Sequence, residues 1–266
     1  MALADYLPAN PENKVAREIA RAARRYLHRF RGFSYDFVEG GEENILRRLS
    51  PLPIRTVFDC GANLGNWSAL AQKFFPKATF HTFEPSPTNF SSLCAKMQGP
   101  QFHHHNLALA GEAGTIAFKD YGPGSPLNTT LLQSDIHDSK APAKILQIPA
   151  ETGDAYSAHR EISKIDFLKI DVEGAEHLVL QGFTRMLQDS AVSVIQFEYG
   201  YANGDAHFLM KDFFLLFSSF GYSVAKVRKG PLRFGPFQYE MNDFNSGPNY
   251  LAVAGTRPEL LQALTG

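Results

Sequence analysis

Thr56-Val57-Phe58-Asp59-Cys60-Gly61-Ala62-Asn63-Leu64-Gly65-Asn66-Trp67-Ser68 is the stretch whose reading decides the fold. Thr56, Val57 and Phe58 are strand formers, and Gly61 and Gly65 punctuate a turn. From Trp67 to Phe75 the apolar residues recur at helical spacing until Pro76 ends the run. A strand, a glycine turn and a helix in this order open an α/β unit. The missing Cβ at Gly61 and Gly65 lets a ligand lie close against the backbone, so the segment reads as a nucleotide-type binding turn.

Ala78-Thr79-Phe80-His81-Thr82-Phe83 is the next strand, and it closes on Glu84-Pro85. An acid ending the second strand, about 25 residues after the first turn, is where α/β folds hold the two hydroxyls of a ribose. A dinucleotide also needs G-x-G-x-x-G, because its pyrophosphate rests on a helix N-terminus. Here the glycines are spaced G-x-x-x-G, with Asp59 before them and Asn63 between them. Asp59 would bring negative charge towards a pyrophosphate. A ligand with a cationic sulfonium and an amino group suits it better, which favours S-adenosylmethionine over NAD.

Four segments then follow in a telling order: Val57 to Asn66, Phe83-Glu84-Pro85, Asn106-Leu107-Ala108-Leu109, and Phe167-Leu168-Lys169-Ile170-Asp171-Val172-Glu173-Gly174-Ala175-Glu176. Together they closely resemble the FkbM family of S-adenosylmethionine-dependent methyltransferases, over roughly residues 54 to 255, and the segment around Asp171 is the most specific part. The resemblance implies O-methylation, often of sugar or polyketide hydroxyls, by a Rossmann-like domain of the class I methyltransferase type. Cofactor contacts are expected from Asp59, Gly61, Asn63, Gly65, Asn66, Glu84, Asn106 and Asp171. Asn106, at the end of the third strand, is placed by the resemblance near the adenine.

A chain of 266 residues can bury a substantial core. Its net charge of -1 argues against general nucleic-acid binding. Cys60 and Cys94 are the only cysteines, both in expected core elements, which argues against a disulfide framework. No apolar run is long enough to span a membrane and no apolar signal core opens the chain, so a cytoplasmic protein is expected.

Residues 14–31 read as a basic helix carrying Lys14, Arg17, Arg21, Arg24, Arg25, Arg29 and Arg31, with Val15, Ile19, Ala22, Tyr26 and Phe30 forming one apolar stripe. The leading expectation is a helix packed on the domain with a solvated basic face. Contact with an acidic partner, another copy or a membrane surface, or a lid over the site, are the alternatives, and Asp5 and Glu12 weaken a transit-peptide reading. A short helix at 42–49 follows. Residues 87–97 read as a helix and Gln101 to Ala108 as the third strand, with His103 and His105 on one face. No Cys/His cluster has ligand spacing, so the histidines read as a strand and no metal residue is assigned, with metal dependence through acids gathered near Asp171 left open.

Residues 111–150 form a β-rich insertion with short strands at 115–118, 129–132 and 144–149, either shaping the acceptor pocket or extending the sheet edge. Ile165 to Val172 is the fourth strand, an almost continuous apolar run as expected between two helix layers. Val192 to Tyr199 is the fifth. A helix from 205 to 220 and strands at 222–227 and 250–254 complete the pattern. The fold class expected is α/β: a mostly parallel seven-stranded sheet with helices on both faces, an N-terminal helical extension (1–53) and a methyltransferase domain (54–266) carrying the insertion.

Methyl transfer needs alignment of two reactants, and an alcohol acceptor must also lose a proton. Asp171 at a strand end is the first candidate base, with Glu173 and Glu198 behind it and His177 weaker. Glu176 reads as an acid serving the helix dipole. Phe234, Phe237, Tyr239 and Phe244 are candidates for an acceptor pocket. The rival readings are a cofactor-binding module without turnover, and an NAD-linked oxidoreductase, which the missing third glycine disfavours.

Overall fold

The computed structural model describes residues 10–133, 142–244 and 247–266. After helices α1 (Lys14–Arg31) and α2 (Glu42–Leu49), the chain alternates β1 (Thr56–Cys60), α3 (Asn66–Phe74), β2 (Thr79–Phe83), α4 (Pro87–Lys96) and β3 (Phe102–His105). Three further strands, β4 (Ala108–Leu109), β5 (Gly114–Asp120) and β6 (Lys144–Glu151), precede α5 (Gly153–His159) and β7 (Ile165–Ile170). Then come α6 (Glu176–Gln181), α7 (Thr184–Gln188), β8 (Val192–Glu198), α8 (Tyr201–Asp205), α9 (Met210–Ser219), β9 (Tyr222–Lys226), β10 (Asn249–Ala254) and α10 (Pro258–Thr265). The main sheet has seven strands in the order β3-β2-β1-β7-β8-β10-β9. β10 runs antiparallel to both of its neighbours.

The apolar run of β7 is explained by burial on both faces, because successive side chains point to opposite sides. Phe167 packs towards α2, α3 and α10, with Ile45, Leu46, Leu49, Trp67, Leu260 and Leu264. Leu168 and Ile170 point to the other side, towards Val179, Leu180 and Phe183 and towards Phe213 and Phe217 of α9. Thus α2 is part of the main core.

Several elements depart from the sequence expectations. The third strand ends at His105, and beyond it the Asn106 side-chain Nδ2 donates to the carbonyls of Glu84 (2.8 Å) and Pro85 (3.0 Å). β4 pairs instead with β6, giving a separate sheet of order β4-β6-β5. The insertion therefore does not extend the edge of the main sheet; its residues 134–141 lie outside the described part. Thr129 forms only an isolated bridge to Lys119 rather than a strand at 129–132. The helix expected over 205–220 begins only at Met210, as α9, after the separate short α8. His207 between them adopts a left-handed conformation, and the Asp212 carboxylate caps the second piece by accepting from the Leu209 amide at 2.8 Å.

The apolar stripe of α1 is not packed on the domain as expected: Val15 is 60% exposed, Tyr26 67% and Phe30 76%. Among the described residues, no helix is long and apolar enough to cross a membrane.

Because Phe167 is fully buried against Trp67 and Phe75, Phe167→Ala is expected to cost about 3–5 kcal/mol. Leu215→Ala, at a largely exposed position, should stay within about 0.5 kcal/mol. Urea unfolding of the two variants checks both values.

Candidate active site

The parallel register brings the strand ends level. Cys60 lies opposite Phe83 on β2 and Ile170 on β7, and Ile170 lies opposite Phe197 on β8. The next residues along these strands are Gly61, Glu84, Asp171 and Glu198, and all four line one cavity of about 470 Å³. It lies at the carboxyl ends of the strands, where the order reverses about β1, the place where open α/β sheets bind ligands. Its volume is in the range of small-molecule sites. Phe83, Leu109, Leu178 and Val179 contribute apolar lining, and Asp171, Glu173 and Glu198 an acidic one. The insertion supplies Phe118 and residues 125–130, and the largely exposed Tyr35 also lines the cavity.

Beneath the acidic lining lies Lys169, the one cation in the apolar run of β7. Its ammonium donates to Asp171 Oδ2 at 2.8 Å and lies 3.6 Å from Asp59 Oδ1, with the Trp67 ring 5.7 Å away. Burial works against this charge, but Asp171 and Asp59 outweigh it and hold the ammonium above its ordinary range. Burial would likewise raise Asp171, yet Lys169 keeps that carboxyl below its usual value. Glu198 moves the other way: burial, then the charges of Asp171 and Glu173, push it well up. Asp171 and Glu198 also share a hydrogen bond. Carboxylate oxygens of Asp171, Glu173 and Glu198 lie within 4.8 Å of one another, a spacing at which the three could hold a divalent cation.

Two devices hold this acidic turn. Glu173 is left-handed at φ 55° and Gly174 follows at φ 100°. Thr129 Oγ1 donates to the carbonyl of Glu173 at 2.9 Å. The buried Glu176 carboxylate accepts from the amides of Val172 and Gly174 and from Asn203 Nδ2 at 2.8 Å. Glu176 therefore does more than face a helix dipole.

The Glu84 carboxylate is nearly fully buried and lines the cavity. Its oxygens accept from the amides of Asn63 (2.8 Å) and Ser86 (2.9 Å), which leaves further lone pairs for a ligand. Burial raises its pKa to about 7 against these two bonds. Asn63, left-handed at φ 48°, lines the cavity too.

Other residues expected to touch the cofactor do not line the cavity in this structure. Asp59 is fully buried and accepts from Ser68 Oγ at 2.6 Å, so its charge meets Lys169 rather than a ligand. Asn66 is exposed and bonded to Lys96, and Asn106 anchors the end of β2. Of the turn glycines, Gly61 lines the cavity and Gly65 does not. A Cβ at Gly61 (φ 80°) would lie 1.8 Å from the Asp171 carbonyl oxygen, and one at Gly65 (φ 73°) would lie 2.7 Å from Leu93 Cδ1. Both positions need glycine for backbone conformation and internal packing.

His177 stacks on Phe208 at 4.8 Å and is not among the lining residues. Phe237 packs on Phe214 and Phe244 on Tyr199, outside the lining. His81 and His105 converge on the Tyr156 hydroxyl at 2.8 and 2.6 Å, and burial lowers their pKa values to about 3 and about 4. Sequence reading missed Lys169, Glu42, Thr129 and Asn203. For Lys169 a signal was present, since a charged residue inside an apolar strand must find a buried partner. Glu42 is buried from α2, accepts from Gln196 Nε2 at 2.5 Å, and has its pKa raised to about 7 by burial.

Removing the Lys169 charge would strand the buried Asp59 carboxylate and unpair the half-buried Asp171, so Lys169→Met is expected to destabilise the chain by about 3–5 kcal/mol. The double variant Lys169→Met/Asp59→Asn should recover part of that loss. Chemical denaturation of the single and double variants reads the coupling.

Residues 59–224, more than half of the chain, match the methyltransferase FkbM domain model. "Methyltransferase 1" of Beauveria bassiana (strain ARSEF 2860) is 29% identical over 145 residues, covering 47% of this chain and 57% of that protein. The 31-O-demethyl-FK506 methyltransferase FkbM of Streptomyces tacrolimicus is 30% identical over 162 residues, covering 49% of this chain and 60% of that protein. The chain thus spans less than two thirds of the curated relatives it matches. Among solved structures, methyltransferase FkbM from Methylobacillus flagellatus KT aligns with a TM-score of 0.45 at 15% identity, over 90% of this chain and 59% of that one. The plantazolicin methyltransferase BpumL, solved with S-adenosylhomocysteine, aligns with a TM-score of 0.44 at 11% identity, over 91% of each chain. The chain belongs to the FkbM methyltransferase family, whose methyl donor is S-adenosylmethionine.

Proposed function

We propose that this chain is an O-methyltransferase acting on a hydroxyl of a small metabolite, such as a sugar or a polyketide. The observation that carries the reading is the pair of carboxyl groups at adjacent strand ends whose affinities for a proton are driven in opposite directions. Pairs separated in this way divide the work of charge stabilisation and proton transfer between them. The curated relative named for a 31-O-demethyl substrate supports transfer to oxygen.

The residues present fit the cofactor. Glu84 keeps free acceptor capacity for ribose hydroxyls, the apolar lining of Phe83, Leu109, Leu178 and Val179 suits an adenine, and the acidic trio suits a cationic donor. When bound, S-adenosylmethionine supplies an electrophilic methyl carbon that an acceptor oxygen attacks in line. Asp171, ionised beside Lys169, provides the fixed negative charge. Glu198, whose raised pKa makes it the stronger base once ionised, takes the hydroxyl proton. Glu173 completes the acidic wall, and residues 125–130 with Tyr35 restrict access of water and acceptor.

A hydroxyl donor is held best by the ionised form of Glu84. Since burial sets that group at about 7, affinity for S-adenosylhomocysteine should rise as pH increases through neutrality. Glu84→Gln should bind at least tenfold more weakly, as expected on losing charge-assisted bonds of about 1.5–3 kcal/mol each. It should also lose its share of the pH dependence. Calorimetric titration across this range measures both effects.

The proton-transfer assignment is tested by single-turnover methylation of a panel of hydroxylated acceptors. Glu198→Gln should lower the rate by about 10²–10⁴-fold while S-adenosylhomocysteine still binds. In Asp171→Asn the charge that raises Glu198 is gone, so the acidic limb of the pH–rate profile should move to lower pH. Normal turnover in Glu198→Gln would remove the assignment. Cofactor binding without transfer to any hydroxyl would favour a binding module.

A further inference from the structure

The N-terminal helix α1 carries a surface that the methyltransferase reading does not use. Its two flanks differ sharply in chemistry. At helical spacing, Val15, Ile19, Ala22, Tyr26 and Phe30 run down one side. Arg17, Arg21 and Arg24 fall on the opposite side, with Lys14 and Arg25 at the edge of that face. The helix holds seven of the chain's 26 basic residues and, in Glu18, one of its 27 acids, so the remaining residues carry 19 basic and 26 acidic groups. The basic charge is therefore concentrated on one element of an otherwise acidic chain.

The apolar flank is largely uncovered. Val15, Tyr26, Leu27 and Phe30 are all among the exposed large hydrophobic side chains, at 60, 67, 42 and 76%. Ala16 is buried and Ile19 half-buried. The Tyr26 and Phe30 rings stack at 6.1 Å, forming one aromatic strip. The helix is well defined at both ends. Asn13 Oδ1 caps it by accepting from the amides of Val15 (2.8 Å) and Ala16 (3.2 Å). At the other end Arg31 pairs with Asp243, and Lys226 Nζ donates to the Arg31 carbonyl at 2.5 Å.

We propose that α1 is a docking surface for an anionic lipid membrane, lying in the plane of the interface with Val15, Tyr26, Leu27 and Phe30 inserted and its arginines against the headgroups. Charge complementarity selects this occupant. An exposed aromatic and aliphatic stripe backed by an arginine-rich face is satisfied on both counts by an anionic leaflet, which offers acyl chain beneath a layer of negative charge. Pairing of the stripe with the same helix of a second copy would cover the apolar side chains but leave the arginine-rich face without counter-charge. Tyr26 places a hydroxyl at the end of an apolar ring, the form of side chain that settles at headgroup level.

The full chain is sedimented with vesicles of phosphatidylcholine alone and with vesicles that also contain phosphatidylglycerol. Binding should be at least about tenfold tighter to the anionic vesicles and should weaken with added salt. Tyr26→Glu/Phe30→Glu and Arg17→Glu/Arg21→Glu/Arg24→Glu should each lose at least about tenfold of that binding while keeping the melting temperature and the affinity for S-adenosylhomocysteine. In Phe30→Trp the new indole should shift its emission to the blue on anionic vesicles, against the constant background of the buried Trp67. The proposal is overturned if anionic vesicles do not sediment the chain, if either set of charge-introducing variants binds them normally, or if the indole emission is unchanged. It is equally overturned if sedimentation velocity shows a dimer that Tyr26→Glu/Phe30→Glu dissociates, since the stripe would then belong to a second copy.

Discussion

Much of this site depends on one buried cation. Lys169 stands in a strand whose neighbours Leu168 and Ile170 are fully buried, and a charge in such a place persists only with partners held in good geometry. Those partners come from two strands: Asp171 two residues along the same strand, and Asp59 across the ladder on β1. The ion contacts therefore join β1 to β7 where the sheet reverses its order. They also set the chemistry above. Lys169 keeps Asp171 ionised, and the resulting negative charge raises the proton affinity of Glu198. One ammonium group links strand pairing to the proton affinities of the cavity wall.

The glycine turn serves the same junction. The Asp171 amide donates to the Cys60 carbonyl at 3.0 Å, and the Asp171 carbonyl then passes so close to Gly61 that any side chain there would collide with it. Gly61 thus lets two strand exits cross at contact distance, and the cavity opens beside that crossing. From the other side, Thr129 holds the Glu173 carbonyl, and Glu176 and Asn203 hold the turn from within. Glu173 is left-handed there, a conformation that persists only where surrounding contacts fix it. The small β4-β6-β5 sheet and the loop beyond it are therefore tied to the acidic wall as well as lining the cavity.

Glu42 and Gln196 show how the second layer is built. Glu42 reaches from α2 to the Gln196 and Asn249 side chains of β8 and β10. Its charge and that of Lys169 act on each other. A helix preceding the first strand thereby contributes to the electrostatics of a site formed by strands far along the chain. α1 differs: it is joined to the domain at its C-terminal end, and its chemistry faces outward.

What was legible in the sequence was whatever depends on local pattern. The alternation of apolar runs with glycine turns located the strands, and the period of α1 located an amphipathic helix. The acids following strand ends marked Glu84, Asp171 and Glu198, all of which line the cavity. The likeness around Asp171 pointed to the family, as the domain match bears out. Partnership, by contrast, was decided by tertiary structure. That Asp59 meets a lysine, and that Gly61 makes room for the backbone of Asp171 while also lining the cavity, depended on the register of β1 against β7. Asn106 likewise serves the end of β2 because β3 stops one residue before it. Opposite proton affinities for Asp171 and Glu198 arise only when burial and Lys169 act together. A side chain's charge is written in the sequence; the distance to its partner and the loss of surrounding water arise only when the chain folds.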